Sequence, residues 1–147
     1  MGDTEKINYI RVIGGGLVAG IINDILGYLV DGVMLSARWT SAMRQLGRSE
    51  FSLNQMIGFN ILGLVWGIFA VWLYAAIRTR YGAGPKTAVC AGLAVWAIGT
   101  LLPNAGFWLA GVLPRGLTVL TTGGGIVEAV VAVLAGAALY QEGKSPA

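Results

Sequence analysis

From residue 10 to 35 the chain reads IRVIGGGLVAGIINDILGYLVDGVML, an apolar run in which Asn23, Asp24 and Asp31 stand out. A helix rising 1.5 Å per residue needs roughly 20 apolar residues to cross a hydrocarbon layer about 30 Å thick, so this run predicts a first membrane span. On such a helix Gly16, Gly20, Asp24, Gly27 and Asp31 fall along one stripe, since residues three and four apart are neighbours. A carboxylate at that depth is expensive against lipid, and glycines beside it let another helix approach closely, so the stripe is expected to face protein.

Three more apolar runs follow. Ser52 and Gln55 have capping-box spacing before a second span over 53–77, in which Asn60, Gly63, Gly67 and Tyr74 share a stripe. Gly63 and Gly67 form a small-xxx-small pair, and Asn60 is placed to donate to a carboxylate of the first helix. Trp66, Phe69 and Trp72 are expected to point at lipid or, as the less favoured alternative, at a neighbouring subunit. The turn RTRYGAGP at 78–85 supplies a tight reversal, with Pro85 at the first position of a third span that runs cleanly over 85–102. After Pro103 and Asn104 the sequence is apolar again to residue 113, which fits either a kinked continuation of that helix or a loop dipping into the interface. The fourth span covers 117–140 and carries Thr121, Gly124, Glu128, Ala132 and Ala135 on one stripe, mirroring the first helix.

Between the first two spans, residues 36–54 are more polar. Leu35, Trp39, Met43 and Leu46 recur at helical spacing against Arg38, Ser41, Arg44, Gln45 and Arg48, a pattern expected of a short amphipathic helix at headgroup level. Arg38, Trp39, Arg44 and Arg48 are the candidate headgroup contacts. The expected fold is therefore all-α: a single transmembrane domain over 1–147, a four-helix bundle with a short interfacial helix between its first two spans.

Composition narrows the chemistry. The chain is 56% hydrophobic and 12% charged, about half the charged share of a soluble domain. Its net charge of +3 is scattered over short loops, which speaks against nucleic-acid binding. One cysteine, Cys90, and no histidine remove an internal disulfide, a CxxC pair and the usual ligands of haem, zinc and copper, so no cofactor or metal is expected. The first 11 residues, MGDTEKINYIR, place acids where a secretory signal needs basic residues, so the first span is expected to be retained. Lys6 stands where a myristoylation start needs Ser or Thr. Basic residues divide as Lys6, Arg11, Arg78, Arg80, Lys86 and Lys144 at one side against Arg38, Arg44, Arg48 and Arg115 at the other, which predicts cytoplasmic termini.

The candidate site is a buried acid cluster: Asp24 and Glu128 near mid-depth, with Asn23, Asn60 and Asp31 around them. If the spans begin near residues 12 and 117, Asp24 lies roughly 18 Å from one surface and Glu128 roughly 17 Å from the other, so the two carboxyls would meet. No Lys, Arg or His in the spans is placed to pair with them. Such acids serve as a proton-carrying site, as neutral hydrogen-bonded glue between helices, or as partners of a base on another subunit. For Asp31, near the far end of its helix, interfacial exposure is expected. Gly16, Gly20, Gly63, Gly67 and Gly124 are the expected helix-packing positions.

The segments VWLYAAIRTRYGAGPKTAVCAGLAVW at 71–96, GGGLVAGIIND at 14–24 and WTSAM at 39–43 resemble a group of small hypothetical four-helix membrane proteins of bacterial genomes. The resemblance covers most of the chain and implies a bacterial inner-membrane location. It rests on loop and packing signatures and implies no activity and no functional residue. With no catalytic constellation in view, the chain is expected to be a non-enzymatic subunit of a larger membrane assembly or homo-oligomer. The competing expectation is a small proton-coupled transporter working as a dimer through its carboxylates. A lipid-directed enzyme using paired carboxylates is the least supported class.

Overall fold

A computed structural model describes residues 7–49 and 51–140. The described chain is all-helical, with four helices long and apolar enough to cross a membrane. Helix α1 spans Tyr9–Met34; it starts at Asn8, whose side chain accepts the Arg11 N–H at 3.2 Å, and satisfies one of the donors a helix start leaves open. It is α-helical to Gly27 and widens into a π-helix over Tyr28–Met34. Helix α2, Ser36–Gln45, follows directly. Helix α3, Leu53–Tyr81, opens on the predicted capping box: Ser52 accepts from the Gln55 N–H at 3.3 Å, and Gln55 accepts from the Ser52 N–H at 2.9 Å. It runs four residues beyond the apolar stretch, because Arg78 and Arg80 end the hydrophobic pattern without ending the helix and suit the negative end of its dipole. Gly82, at a φ of +83°, then turns the chain into Pro85.

Helix α4, Pro85–Leu109, resolves the choice left open at Pro103 in favour of a continuous helix. A proline mid-helix removes one N–H and drives its ring at the carbonyl four residues back. The residues before Pro103 relieve this by opening into a π-turn over Ala97–Leu101, where the Leu102 N–H reaches back to Ala97. Helix α5, Arg115–Leu139, completes the bundle.

Helix α1 packs along α3 and α5, and α4 packs along the same two from the other side, so α1 and α4 lie across the diagonal. Glycine sets the spacing. A Cβ on Gly20 would stand 2.6 Å from the Leu64 Cα and 2.8 Å from the Gly63 carbonyl, and one on Gly16 would strike the Ile68 backbone. A Cβ on Gly67 would in turn strike Gly16 and Gly20, so the predicted pairing of Gly16 and Gly20 with Gly63 and Gly67 is the α1–α3 contact. The contact of α1 with α5 rests instead on Gly15 and Gly136, where an added Cβ would lie 2.6 Å from the facing carbonyl in either direction. A Cβ on Gly124, the expected packing glycine of α5, would lie 3.0 Å from the Val30 side chain of the π-helical turn, near the other end of that contact.

The two ends of the bundle differ. At the end that holds the start of α1 and the end of α5, Val12, Val71, Ala75, Ala132 and Val133 are buried. The Tyr74 and Tyr140 rings stack edge to face at 6.1 Å, and the Arg78 guanidinium lies over both at 5.8 and 5.2 Å. The Tyr140 hydroxyl accepts from the Asn8 N–H and the Tyr74 hydroxyl from the Gly84 N–H, both at 3.2 Å, so two rings tie four chain segments together. Towards α2 the helices part.

A cleft lined by three carboxyls

Where the helices part, a cleft of about 1270 Å³ lies between α1, α3 and α5, lined also by Gly99 and Thr100 of α4 and by Trp39 and Met43 of α2. Asp24, Asp31 and Glu128 all line it. The carboxyl of Asp24 occupies the space over Gly63 where any side chain would project, so that glycine makes room for an acid as well as for a helix. Glu128 meets α1 at another level: its Oε2 stands 3.6 Å from where a Cβ of Gly27 would be. Asp31 accepts a hydrogen bond from the Trp39 indole N–H at 3.1 Å.

This arrangement keeps the predicted cluster but changes its pairing. Asp24 and Glu128 share one cleft, yet Asp24 is turned to Gly63 of α3 while Glu128 is set against Gly27 of α1. The two helices run antiparallel, and Glu128 comes level with Gly27, one turn beyond Asp24. Asp31 lines the same cleft and is half-buried. Asn23 lines the cleft, as does Asn60, but the Asn60 amide donates to the Met56 carbonyl of its own helix at 2.7 Å rather than to a carboxylate.

Two tryptophans also differ from expectation. Trp39, expected among headgroups, turns its indole inward to Asp31 and packs on Phe51 at 6.4 Å, with Phe51 edge-on to Phe59 at 5.4 Å. Trp66, expected towards lipid, lines the cleft beside Gly99, while Phe69 and Trp72 do face outward. In both cases a ring N–H or a wide void inside decides the rotamer, which helical spacing alone does not see. Arg44 and Arg48 are exposed as expected, and Arg38 leans on Gly116 at the start of α5.

Sequence reasoning missed a polar clasp between α4 and α5. The Asn104 amide donates to the Thr121 and Thr122 hydroxyls at 3.3 and 2.9 Å, and the Trp96 N–H donates to the Thr122 carbonyl at 2.9 Å. Thr121, on the stripe of Glu128, is thereby engaged by Asn104 and by carbonyls of its own helix. The signal was Asn104 itself, a strong polar group in an apolar run directly after a proline.

No family model, curated protein or solved structure matches the chain. The chemistry must therefore be taken from the cleft. Its three carboxyls are spread along the walls, and among the described residues no three His, Cys, Asp or Glu side chains converge as metal ligands would. Among the described residues that line it, none is Lys or Arg. It can take up positive charge, or accept hydrogen bonds, from something that enters between the helices.

Proposed function

We propose that the chain is a non-enzymatic integral membrane protein, a subunit that packs against another membrane helix in a larger assembly. The observation that carries this reading is the asymmetry of the bundle: one half is closed by small-residue contacts and tyrosines, while the other half leaves a cleft of about 1270 Å³ between its helices. Inside a bilayer, unfilled space next to carboxyls is costly, and helix association through close packing is the ordinary remedy. In this reading α2 lies at the headgroups with Arg44 and Arg48 outward, both termini are cytoplasmic, and the resemblance noted above supports a bacterial inner membrane.

Extraction of the tagged full chain from its native membrane in mild detergent, followed by native mass analysis, tests the reading: a complex with a second polypeptide is expected, and a bare 15.4 kDa monomer throughout refutes it. Orientation is tested with single cysteines at Tyr81 and Ser41, both exposed and at opposite ends of the bundle, in a Cys90→Ala background. The Tyr81→Cys variant should label only from the cytoplasmic side and Ser41→Cys only from the outer side.

The placing of all three carboxyls on one cleft favours a second reading, a small proton-coupled carrier working as a dimer. Here Asp24→Asn and Glu128→Gln should abolish uptake driven by a pH gradient in proteoliposomes while leaving the helical content unchanged.

A further inference from the structure

We infer that the occupant of the cleft is a transmembrane helix of a different chain, carrying an arginine or lysine at the level of Glu128. The inference rests on the subunit reading above and adds the chemistry of the partner. Three features of the cleft argue for it.

The first is charge. Asp24, Asp31 and Glu128 line one opening whose described lining contains no basic side chain. Carboxyls held in a low-dielectric cleft call for a cation or a donor close by.

The second is that this chain cannot supply the cation, either within itself or from a second copy. Its described basic residues are Arg11, three residues into α1, Arg78 and Arg80 in the last turn of α3, Lys86 at the second position of α4 and Arg115 at the first of α5, with Arg38 of α2 set against Gly116 at the start of α5 and Arg44 and Arg48 exposed. Glu128 is 13 residues from the start of α5 and 11 from its end, roughly 17 Å or more from either end at 1.5 Å per residue. Bundles of this chain aligned in one bilayer bring their basic residues to the ends of the spans and leave that depth empty of positive charge.

The third is size and wall chemistry. A helix about 10 to 12 Å across fills the cleft volume with roughly two to three turns. Asp24 and Asp31 are seven residues apart on α1, about 10 Å along its axis, so the acids border the length such a helix would occupy. Trp39, Phe59 and Trp66 supply aromatic walls, on which an arginine guanidinium stacks while it also donates to carboxylates.

The full chain in lipid nanodiscs, mixed with synthetic single-span helices of leucine and alanine that differ only in a central Arg, Leu or Glu, tests the inference. Binding is read by energy transfer from the chain's tryptophans to an acceptor at the centre of the peptide. The Arg helix should half-saturate at a peptide-to-lipid ratio at least tenfold below that of the Leu helix, and the Glu helix should be excluded. The Glu128→Gln variant should lose most of that preference, and Lys86→Gln should keep it. Should Glu128→Gln not fold, the ranking of the three helices on the unmodified chain still decides. Equal binding of the Arg and Leu helices overturns the inference, as does tetraphenylphosphonium binding where the Arg helix does not, which would make the site one for small organic cations. Self-association that excludes every helix also overturns it, in favour of a second copy. A native complex that survives Glu128→Gln removes this inference and keeps the subunit reading; a tenfold Arg preference without any native complex does the reverse.

Discussion

Replacing Gly67 by alanine puts one methyl group against the backbone of the facing helix. The new Cβ would strike the Gly16 carbonyl and the Gly20 backbone, with the Gly20 Cα only 2.6 Å away. Ordinary contact begins at 3.4 Å, and since the obstruction is main chain no side-chain rotation relieves it. Helices α1 and α3 must therefore separate by about 1 Å over the stretch between Gly16 and Gly20, and a gap of that size forfeits a quarter to a half of each dispersion well across it. Overpacking of this kind costs about 1–3 kcal/mol, and the backbone contacts place Gly67 at the upper end. Against this, alanine is better than glycine in a helix by about 1 kcal/mol. The net loss is about 2 kcal/mol, larger for Gly67→Leu. Gly123→Ala is the control: it lies in α5 with nothing within 4 Å of its added Cβ, so only the propensity gain remains and stability should rise by up to about 1 kcal/mol. Unfolding of the purified chain in mixed micelles with rising dodecyl sulfate, followed by far-ultraviolet circular dichroism, measures both. If Gly67→Ala is as stable as Gly123→Ala, the two helices do not meet at their glycines and the packing described here is wrong.

Other consequences can be read with the same unfolding assay. Gly63→Ala should cost at least about 1 kcal/mol in the native chain but much less beside Asp24→Ala, because the atoms that crowd the added Cβ are those of the Asp24 carboxyl and directly contacting residues couple. Trp39→Phe keeps the ring against Phe51 but removes the N–H that Asp31 accepts; a loss of about 1 kcal/mol and faster amide exchange in α2 are expected, and unchanged exchange would show that this bond does not hold α2 in place. Asn104→Leu preserves volume and removes two hydrogen bonds to α5, while Thr121 and Thr122 keep acceptors on their own helix, so the loss should stay near 0.5–1.5 kcal/mol; a loss above about 3 kcal/mol would mean that the hydroxyls are orphaned instead.

The four long helices, the capping box at Ser52 and the turn before Pro85 were legible along the chain, because apolar length, cap spacing and turn residues act over a few neighbouring positions. The pairing of Gly16 and Gly20 with Gly63 and Gly67 was legible too, since one face with no side chains can serve close approach and little else. Tertiary structure alone decided which way the acids turn. Asp24 goes to Gly63 of α3 and Glu128 to Gly27 of α1 because the offset between antiparallel α1 and α5 is set by Gly15 against Gly136, more than two turns away from either carboxyl. Trp39 and Trp66 turn inward because the helices part and leave a void and a hydrogen-bond acceptor there. Helical periodicity specifies which residues share a face of one helix; which face meets which, and where two helices fail to meet, depends on the relative height and rotation of whole helices, and those follow from contacts far apart in the chain.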